Sequence, residues 1–172
     1  MKQTKPLSDN IIFLDTEFSS LDPYKGEILS IGMIKMTGEE LYLEIDHEGE
    51  VDQWVFDHIL PTLKKEKIDR REAAEKILEF VGPDKPYMIS FVSQYDSLYL
   101  YKLLGIEKNP FFRFPFDFAS MMFAAGYDPD DFNKKNRKFL IELGIDVEKY
   151  KMHNALDDAK LMREAYLEFF KK

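Results

Sequence analysis

The length of the chain, its charge and its lack of cysteine together exclude several classes of protein. With 172 residues it is long enough for one domain with a substantial core. Without cysteine it can build neither a disulfide framework nor a thiolate zinc site. A net charge of −8 is not typical of a protein that holds long nucleic acid by counterion release.

The apolar run that follows residues 1–10 is too short for a signal peptide or a membrane span. We therefore expect a cytoplasmic protein without membrane contact. Residues 1–10 are polar and predict an N-terminal tail, and residues 11–172 predict a single domain.

Three apolar runs at the start of the domain predict an antiparallel meander. Residues 11–14 are continuously apolar, which indicates a short buried strand. Residues 28–34 are apolar on both faces, as is typical of a strand in the centre of a sheet. Residues 41–45 alternate between apolar and polar side chains and predict the third strand.

The hydrophobic period changes after residue 50, and from there helices surround two further strands. The fourth strand is expected over 87–92 and the fifth over 112–116, where Pro115 indicates an edge or a strand end. Helices are expected over 51–63, with a break near Pro61, and over 70–81, 93–104, 118–125, 133–143 and 154–170. This order predicts an α/β fold, in which helices cover both faces of a mixed five-stranded sheet.

Asp15 and Glu17 follow the first apolar run and are two residues apart. If the strand continues through them, both side chains point to the same face, because side chains alternate along a strand. Two carboxylates at the end of a buried strand repel each other, and burial adds to the cost. A divalent cation would remove this conflict. The alternative is that the strand ends at Leu14 and both acids lie in a solvated loop.

The last predicted helix carries an acid on its apolar side. The inward stripe of this helix consists of Ala155, Ala159, Met162, Tyr166 and Phe169. Asp158 lies on the stripe, whereas Asp157 lies on the polar side, where Asn154 as N-cap and the helix dipole explain it. A carboxylate on a buried face needs a partner. We interpret that partner as a metal ion, the alternative being a nearby lysine or arginine.

His153 and Asp96 are two further candidates, and each has an alternative explanation. His153 stands just before the last helix, where a neutral imidazole can take a proton from water. A histidine in that place can also be a surface residue. Asp96 shares the apolar face of its helix with Tyr99 and follows a buried strand, where α/β sheets place ligand residues. Ser93 and Asp96 fit a capping box equally well, and Asp96 would then only satisfy a backbone donor.

Two basic segments are candidates for contact with nucleic acid. One is Lys-Lys-Glu-Lys at residues 64–67, and the other is Lys-Lys-Asn-Arg-Lys at residues 134–138. Charge runs of this kind are more often solvated turns or helix ends, and that is the interpretation we favour.

The acids and the histidine together resemble the motifs of the DEDDh 3′-to-5′ exonucleases, a family with a ribonuclease H-like fold. That family carries Asp-x-Glu on its first strand, an Asp that opens a central helix, and His-x-Ala-x-x-Asp at the last helix. The matching segments are Asp15-Thr16-Glu17, Asp96, and His153-Asn154-Ala155-Leu156-Asp157-Asp158. The middle motif departs from the pattern, because Tyr95 stands where Phe is usual and the preceding Asn is missing.

Two branches of the family share further features with the chain. The chain resembles a small bacterial exoribonuclease group that prefers adenylate-rich RNA in two places. These are Asp15-Thr16-Glu17-Phe18 followed by Ile28-Leu29-Ser30-Ile31-Gly32, and Trp54-Val55 with Ile59-Leu60-Pro61. The loop Ser20-Leu21-Asp22-Pro23 instead resembles the oligoribonucleases, which trim very short RNAs. In both branches the resemblance implies a homodimer.

The resemblance implies a 3′-to-5′ exoribonuclease that uses two Mg²⁺ or Mn²⁺ ions to remove nucleoside monophosphates from the 3′ end of single-stranded RNA. Asp15 would bridge both ions. Glu17 and Asp158 would complete one site, and Asp96 would help to hold the second. His153 would deprotonate the attacking water. The rival interpretations are a single-strand DNA exonuclease, which shares every catalytic residue, and a catalytically silent nucleic-acid or protein-binding module.

Contact with the terminal bases is expected near the end of the first strand, where the candidates are Phe18, Ser19 and Leu21. Phe18 would stack on a base, because stacking on an aromatic ring tolerates any sequence, and Leu21 would wedge against one. A position in the core is the equal alternative for Phe18.

Overall fold

Five strands form one mixed sheet in the computed structural model, which describes residues 6–133 and 137–171. The sheet order is β3-β2-β1-β4-β5, and the strands are β1 (Ile11–Phe18), β2 (Ile28–Lys35), β3 (Glu40–Glu44), β4 (Tyr87–Ser90) and β5 (Phe116–Asp117). β1 pairs antiparallel with β2, and β2 with β3, whereas β4 runs parallel to β1 and β5. The predicted meander followed by parallel strands is confirmed.

The first strand continues past its apolar run. β1 pairs with β2 as far as Phe18, and within this ladder Asp15 lies opposite Gly32 and Glu17 opposite Ser30. The alternative in which the strand ends at Leu14 is therefore wrong. Because both acids belong to one regular strand, their side chains share a face of the sheet.

The fifth strand is shorter and later than predicted. The sequence predicted it over residues 112–116, but only Phe116–Asp117 pairs with β4. Pro115 has no N–H to donate to a ladder, and Phe112 donates its N–H to the carbonyl of Pro86 instead. The bounds of this prediction were wrong, while its place at the sheet edge is confirmed.

Helices in the described part of the chain lie on both faces of the sheet. They are α1 (Gln53–His58), α2 (Arg70–Val81), α3 (Ser93–Leu104), α4 (Phe118–Ala124), α5 (Asp130–Asn133), α6 (Lys138–Glu142) and α7 (Ala155–Phe169). Among them, none combines the length and the apolar character that crossing a membrane requires.

Two predicted helices are shorter than expected. The helix over 51–63 ends at His58 and is followed by a 3-10 turn at Leu60–Thr62, because Pro61 cannot donate the next helical hydrogen bond. The helix over 133–143 is instead two short helices, α5 and α6. Arg137 has a φ of 44°, in the left-handed region, so a continuous helix cannot pass through it.

One apolar cluster on each face of the sheet holds the helices. Phe13 and Leu14 are neighbours on β1 and therefore belong to different clusters. The cluster around Phe13 includes Phe118, Phe139 and Tyr166 from α4, α6 and α7. The cluster around Leu14 includes Ile77 and Tyr99 from α2 and α3. The predicted α/β architecture is confirmed, and its two layers of helices leave the end of β1 between α3 and α7.

Candidate active site

Three carboxylates meet at the end of β1. Each of Asp15, Glu17 and Asp158 offers an oxygen atom, and these atoms all lie within 4.8 Å of one another. The first two come from β1 and the third from the first turn of α7. Alternation along β1 places Asp15 and Glu17 on one face of the sheet, and the apolar stripe of α7 places Asp158 against that face.

Gly32 allows α7 to come this close to the sheet. It is the residue opposite Asp15 in the β1–β2 ladder. A Cβ atom at position 32 would collide with the backbone of Ala155 and Leu156 at the start of α7. Only glycine therefore lets the first turn of α7 lie against β2 and bring Asp158 next to Asp15.

Asp96 joins the three acids from α3. It is 4% exposed, and its Oδ1 accepts hydrogen bonds from Thr16 N at 3.0 Å and from Thr16 Oγ1 at 2.8 Å. The N-cap of α3 is Val92, with no side-chain cap, so the capping box that Ser93 and Asp96 could have formed is absent. Asp96 therefore faces β1, and its side chain lines the same cavity as the other three carboxylates.

Burial raises the pKa of all four acids. The pKa of Asp15 is raised well above its ordinary value by burial and by the charges of Asp96, Asp158 and Glu17. Burial, together with Asp158 and Asp96, raises the pKa of Glu17 to about 8. Burial raises the pKa of Asp96 to about 7, against the hydrogen bonds from Thr16. Burial also raises the pKa of Asp158 to about 7, against the favourable charge of Arg137. The four groups cannot all ionise easily without positive charge between them.

This donor set fits a hard divalent cation. Clustered carboxylate oxygens are the ligands that Mg²⁺ and Mn²⁺ prefer, whereas zinc favours nitrogen and sulfur. A dication would offset both the burial and the mutual repulsion that raise these pKa values. Asp15, Glu17 and Asp158 are the residues that could hold it, and Asp96 lines the same cavity.

His153 lines the same cavity as the carboxylates and lies in the turn before α7. Burial lowers its pKa, and so do the charges of His58 and Arg137, so the imidazole is neutral near neutral pH and can accept a proton. Its backbone has a φ of 58°, a left-handed conformation that costs a non-glycine residue about 1–2 kcal/mol. The carbonyl of His153 accepts a hydrogen bond from Thr62 Oγ1 at 3.0 Å.

The two neighbouring acids of α7 have different surroundings. Asp157 is held locally, since its N–H donates to Asn154 Oδ1 at 3.2 Å and its Oδ2 accepts from Lys151 N at 3.1 Å. The prediction of Asn154 as N-cap is confirmed. Asp158 instead points into the cavity, as its place on the apolar stripe predicted.

The three predicted base contacts lie in different environments. Phe18 lines the cavity, and its ring stacks on the rings of Tyr95 and Tyr99, with centroid distances of 5.7 and 4.5 Å. Ser19 is fully buried, and its Oγ accepts from Glu27 N at 3.0 Å. Leu21 is 63% exposed. Ser19 and Leu21 are not among the residues that line the cavity, so only Phe18 is brought to the acids.

Arg137 is a cavity residue that sequence reasoning missed. It lines the cavity of about 430 Å³ together with the carboxylates and His153. It belongs to the basic run 134–138, which we interpreted as a solvated turn or helix end; Lys134, Lys135 and Asn136 lie outside the described residues. The sequence signal that could have placed Arg137 near the site is that its basic run lies between two aromatic residues, Phe132 and Phe139. Both belong to the apolar cluster that includes α7.

The other basic segment fits the interpretation as a solvated turn. Residues 64–67 are exposed and do not line the cavity. The backbone N–H groups of Lys64 and Lys65 donate to the buried carboxylate of Glu44 at 2.8 and 2.9 Å.

The family follows from a comparison of the whole domain. A family model described as Exonuclease, of the RNase T type, matches residues 12–166. The chain belongs to this exonuclease family. It is therefore an exonuclease domain with the ribonuclease H-like fold of that family. A search of curated proteins gave no match.

Solved structures of yeast proteins share the fold of this exonuclease domain. The RNase domain of yeast Pop2 has a TM-score of 0.67 at 12% identity, over 95% of this chain and 78% of that one. S. pombe Pop2p, in a form with bound Mg²⁺ and Mn²⁺, has a TM-score of 0.63 at 15% identity, over 95% and 83%. A structure of the yeast NOT1 MIF4G domain co-crystallized with CAF1 gives 0.63 at 10% identity, over 95% and 79%.

Proposed function

We propose that the protein is a metal-dependent 3′-to-5′ exoribonuclease, which hydrolyses single-stranded RNA from its 3′ end and releases nucleoside monophosphates. The observation that carries this proposal is the meeting of Asp15, Glu17 and Asp158 within 4.8 Å, in one cavity with Asp96 and His153. Membership of the exonuclease family supports the reaction class.

Each residue then has a chemical role. Asp15, Glu17 and Asp158 would hold one Mg²⁺ or Mn²⁺, and Asp15 with Asp96 a second. When bound, such a pair of dications polarises the phosphodiester and lowers the pKa of a water molecule. His153 is neutral because burial lowers its pKa, and it takes the proton from the attacking water.

The cavity accounts for attack at a chain end. Its volume of about 430 Å³ lies within the range of about 300–1,000 Å³ found for small-ligand pockets, so it suits a terminal nucleotide better than a duplex. Phe18 lines it as an aromatic surface for a base. The guanidinium of Arg137 lines it as a partner for a phosphate, since arginine binds phosphate oxygens in pairs.

RNA is the substrate that the comparisons favour. The solved structures with this fold include one described as an RNase domain and one described with bound Mg²⁺ and Mn²⁺. A preference for adenylate-rich RNA and a homodimer stay predictions from the motifs around Trp54 and Leu21. A silent binding module is disfavoured, because one buried acid and three partly buried acids, all with raised pKa values, are costly to keep together without a cation.

The test is a nuclease assay on oligonucleotides labelled at the 5′ end. Oligo(A), RNA of mixed sequence and single-stranded DNA are each incubated with Mg²⁺, Mn²⁺ or a chelator, for the wild type and Asp15→Ala. We expect a ladder that shortens from the 3′ end of RNA and is lost in chelator and in the variant. Cleavage without metal, or cleavage of a circular RNA, contradicts the mechanism. A faster reaction on DNA than on RNA contradicts the substrate.

A further inference from the structure

We infer that Thr62 is a positioning residue for the reaction, because its hydroxyl holds the backbone of His153 in the conformation that places this residue in the wall of the cavity that the carboxylates line. This inference rests on the proposed role of His153 as general base. Thr62 lies 91 residues away from His153 in the chain, on the 3-10 turn Leu60–Thr62.

The backbone of His153 needs an external support. Its φ of 58° lies in the left-handed region, which a residue with a Cβ atom adopts only where its surroundings hold it. Asn154, the next residue, is committed to α7, since its Oδ1 caps the N–H of Asp157 at 3.2 Å. The carbonyl of His153 lies between the left-handed residue and this N-cap. It accepts a hydrogen bond from Thr62 Oγ1 at 3.0 Å.

Thr62 can give this support because it is anchored itself. Its Oγ1 also lies 2.8 Å from the carbonyl of Ile59, so the single hydroxyl proton is shared between the carbonyls of Ile59 and His153. Ile59 is 1% exposed and packs with Leu29 of β2 and Val55 of α1. The turn that carries Thr62 is thereby fixed to the sheet that also carries Asp15 and Glu17.

The ring of His153 has a second contact from the same segment. The indole of Trp54 meets the imidazole edge-on, with ring centroids 5.3 Å apart. The indole of Trp54 also stacks on the imidazole of His58, with ring centroids 4.7 Å apart and nearly parallel planes. Residues 54–62 thus contact His153 at both its ring and its carbonyl. Trp54 is the only tryptophan in the chain, so tryptophan fluorescence reports directly on this contact.

Thr62 acts through His153 rather than on the substrate. It is not among the residues that line the cavity, whereas His153 is. Loss of its hydroxyl should therefore misplace the base and leave substrate binding intact. The expected signature is a lower kcat with an unchanged KM.

The experiment compares Thr62→Val with Thr62→Ser in the full chain. Valine keeps the branched shape and removes the hydroxyl, whereas serine keeps the hydroxyl. Thr37→Val is the matched control, since Thr37 is exposed in the turn between β2 and β3. We expect Thr62→Val to lower kcat on a 5′-labelled RNA by about tenfold to a hundredfold, as misplacement of a reacting group by about 1 Å does. Thr62→Ser should restore most of the rate, and Thr37→Val should match the wild type.

The emission spectrum of Trp54 is recorded without metal or substrate, and the melting temperature is recorded for each variant. We expect a shifted emission maximum in Thr62→Val and a wild-type maximum in Thr62→Ser. A wild-type kcat and spectrum in Thr62→Val overturn the inference. So does a loss of rate with a raised KM, or a loss that Thr62→Ser shares. If the wild type shows no nuclease activity the proposed function fails, and the two spectra still decide whether Thr62 holds His153.

Discussion

The carboxylate of Asp96 accepts two hydrogen bonds from Thr16, the residue between Asp15 and Glu17. Thr16 N lies 3.0 Å and Thr16 Oγ1 2.8 Å from Asp96 Oδ1. Since alternate residues of a strand face opposite sides, Thr16 reaches toward α3 while its two neighbours share the other face. One tripeptide therefore supplies two acids to the cluster and holds a third.

Removing the hydroxyl of Thr16 should loosen Asp96. A hydrogen bond to a charged acceptor is worth about 1.5–3 kcal/mol. In metal-free protein above the pKa of Asp96, which is about 7, Thr16→Val should therefore lower the free energy of unfolding by about that amount. Urea unfolding measures this change. Thr16→Ser keeps the hydroxyl that donates to Asp96 and should lie close to the wild type. A Thr16→Val variant as stable as the wild type would contradict a contribution from this hydrogen bond.

The two neighbouring acids of α7 should differ sharply in their effect on turnover. Asp158→Asn removes a charge from the cluster. Loss of a residue that only hydrogen-bonds a metal ligand costs roughly tenfold to hundredfold in activity, and loss of the proposed ligand Asp158 should lower kcat/KM by more than that. Asp157→Asn should keep most of the activity, because Asp157 Oδ2 accepts from Lys151 N and its own N–H is capped by Asn154. Rates on 5′-labelled RNA at saturating Mg²⁺ measure both. The opposite order would contradict the assignment of Asp158 to the site.

Arg137 should act on substrate binding. Arg137→Gln removes a charge-assisted hydrogen bond to phosphate, worth about 1.5–3 kcal/mol, and should therefore raise KM by about tenfold or more. Lys138→Gln is the control, since Lys138 is the adjacent cation and pairs with Glu142 on the surface. Steady-state kinetics at fixed ionic strength separate KM from kcat. Equal effects of the two variants would indicate a general effect of charge.

The metal-free protein should lose stability as the pH rises. The folded-state pKa values of Glu17, Asp96 and Asp158 are about 8, 7 and 7, above their ordinary values. Stability from such groups is present at low pH and is lost as the pH rises through the folded pKa. The melting temperature in chelator should therefore fall between about pH 6.5 and pH 8.5.

Other titrating groups do not mask this change. The pKa values of His47 and His153 are lowered from the ordinary value. The stability that these neutral histidines contribute is lost only as the pH falls below the ordinary histidine pKa, which is outside this range of pH. Mg²⁺ or Mn²⁺ should raise the melting temperature most at the high end of the range, since the cation binds the ionised acids. A melting temperature in chelator that rises with pH would contradict the burial of ionisable acids in the cluster.

Gly32→Ala should disrupt the site from outside it. The added methyl group would collide with the backbone of Ala155 and Leu156, which cannot rotate away as a side chain can. We expect a loss of unfolding free energy at the upper end of the about 1–3 kcal/mol found for overpacked cores, together with loss of activity. Gly49→Ala is the control, since its Cβ would lie 3.7 Å from the nearest atom, Lys25 O. Calorimetry and the RNA assay measure the two effects.

Local periodicity in the sequence was enough to predict the sheet and three of the acids. Alternation along the first strand places Asp15 and Glu17 on one face, and the period of the last helix separates Asp158 from Asp157. The bounds of the fifth strand and of the helix over 133–143 were wrong. In the first case Pro115 removes a donor, and in the second Arg137 takes a left-handed backbone that no local pattern of residue types indicates.

Long-range contacts could not be predicted from local patterns. Asp96 fitted a capping box as well as a ligand position, and its actual partner, Thr16, lies 80 residues away. The contact between Thr62 and His153 spans 91 residues. Such pairs become neighbours only through the order of strands in the sheet and the docking of α7, which the sequence read element by element does not specify.

The placement of Asp158 on the last helix has a consequence for biosynthesis. At about 5–20 residues per second, the roughly 140 residues between Asp15 and Asp158 take about 7–30 s to translate. During that time β1 and α3 can already pair and bring Asp15, Glu17 and Asp96 together. The third oxygen of the 4.8 Å cluster arrives only with α7. A nascent chain from which α7 has not yet emerged therefore lacks the complete site.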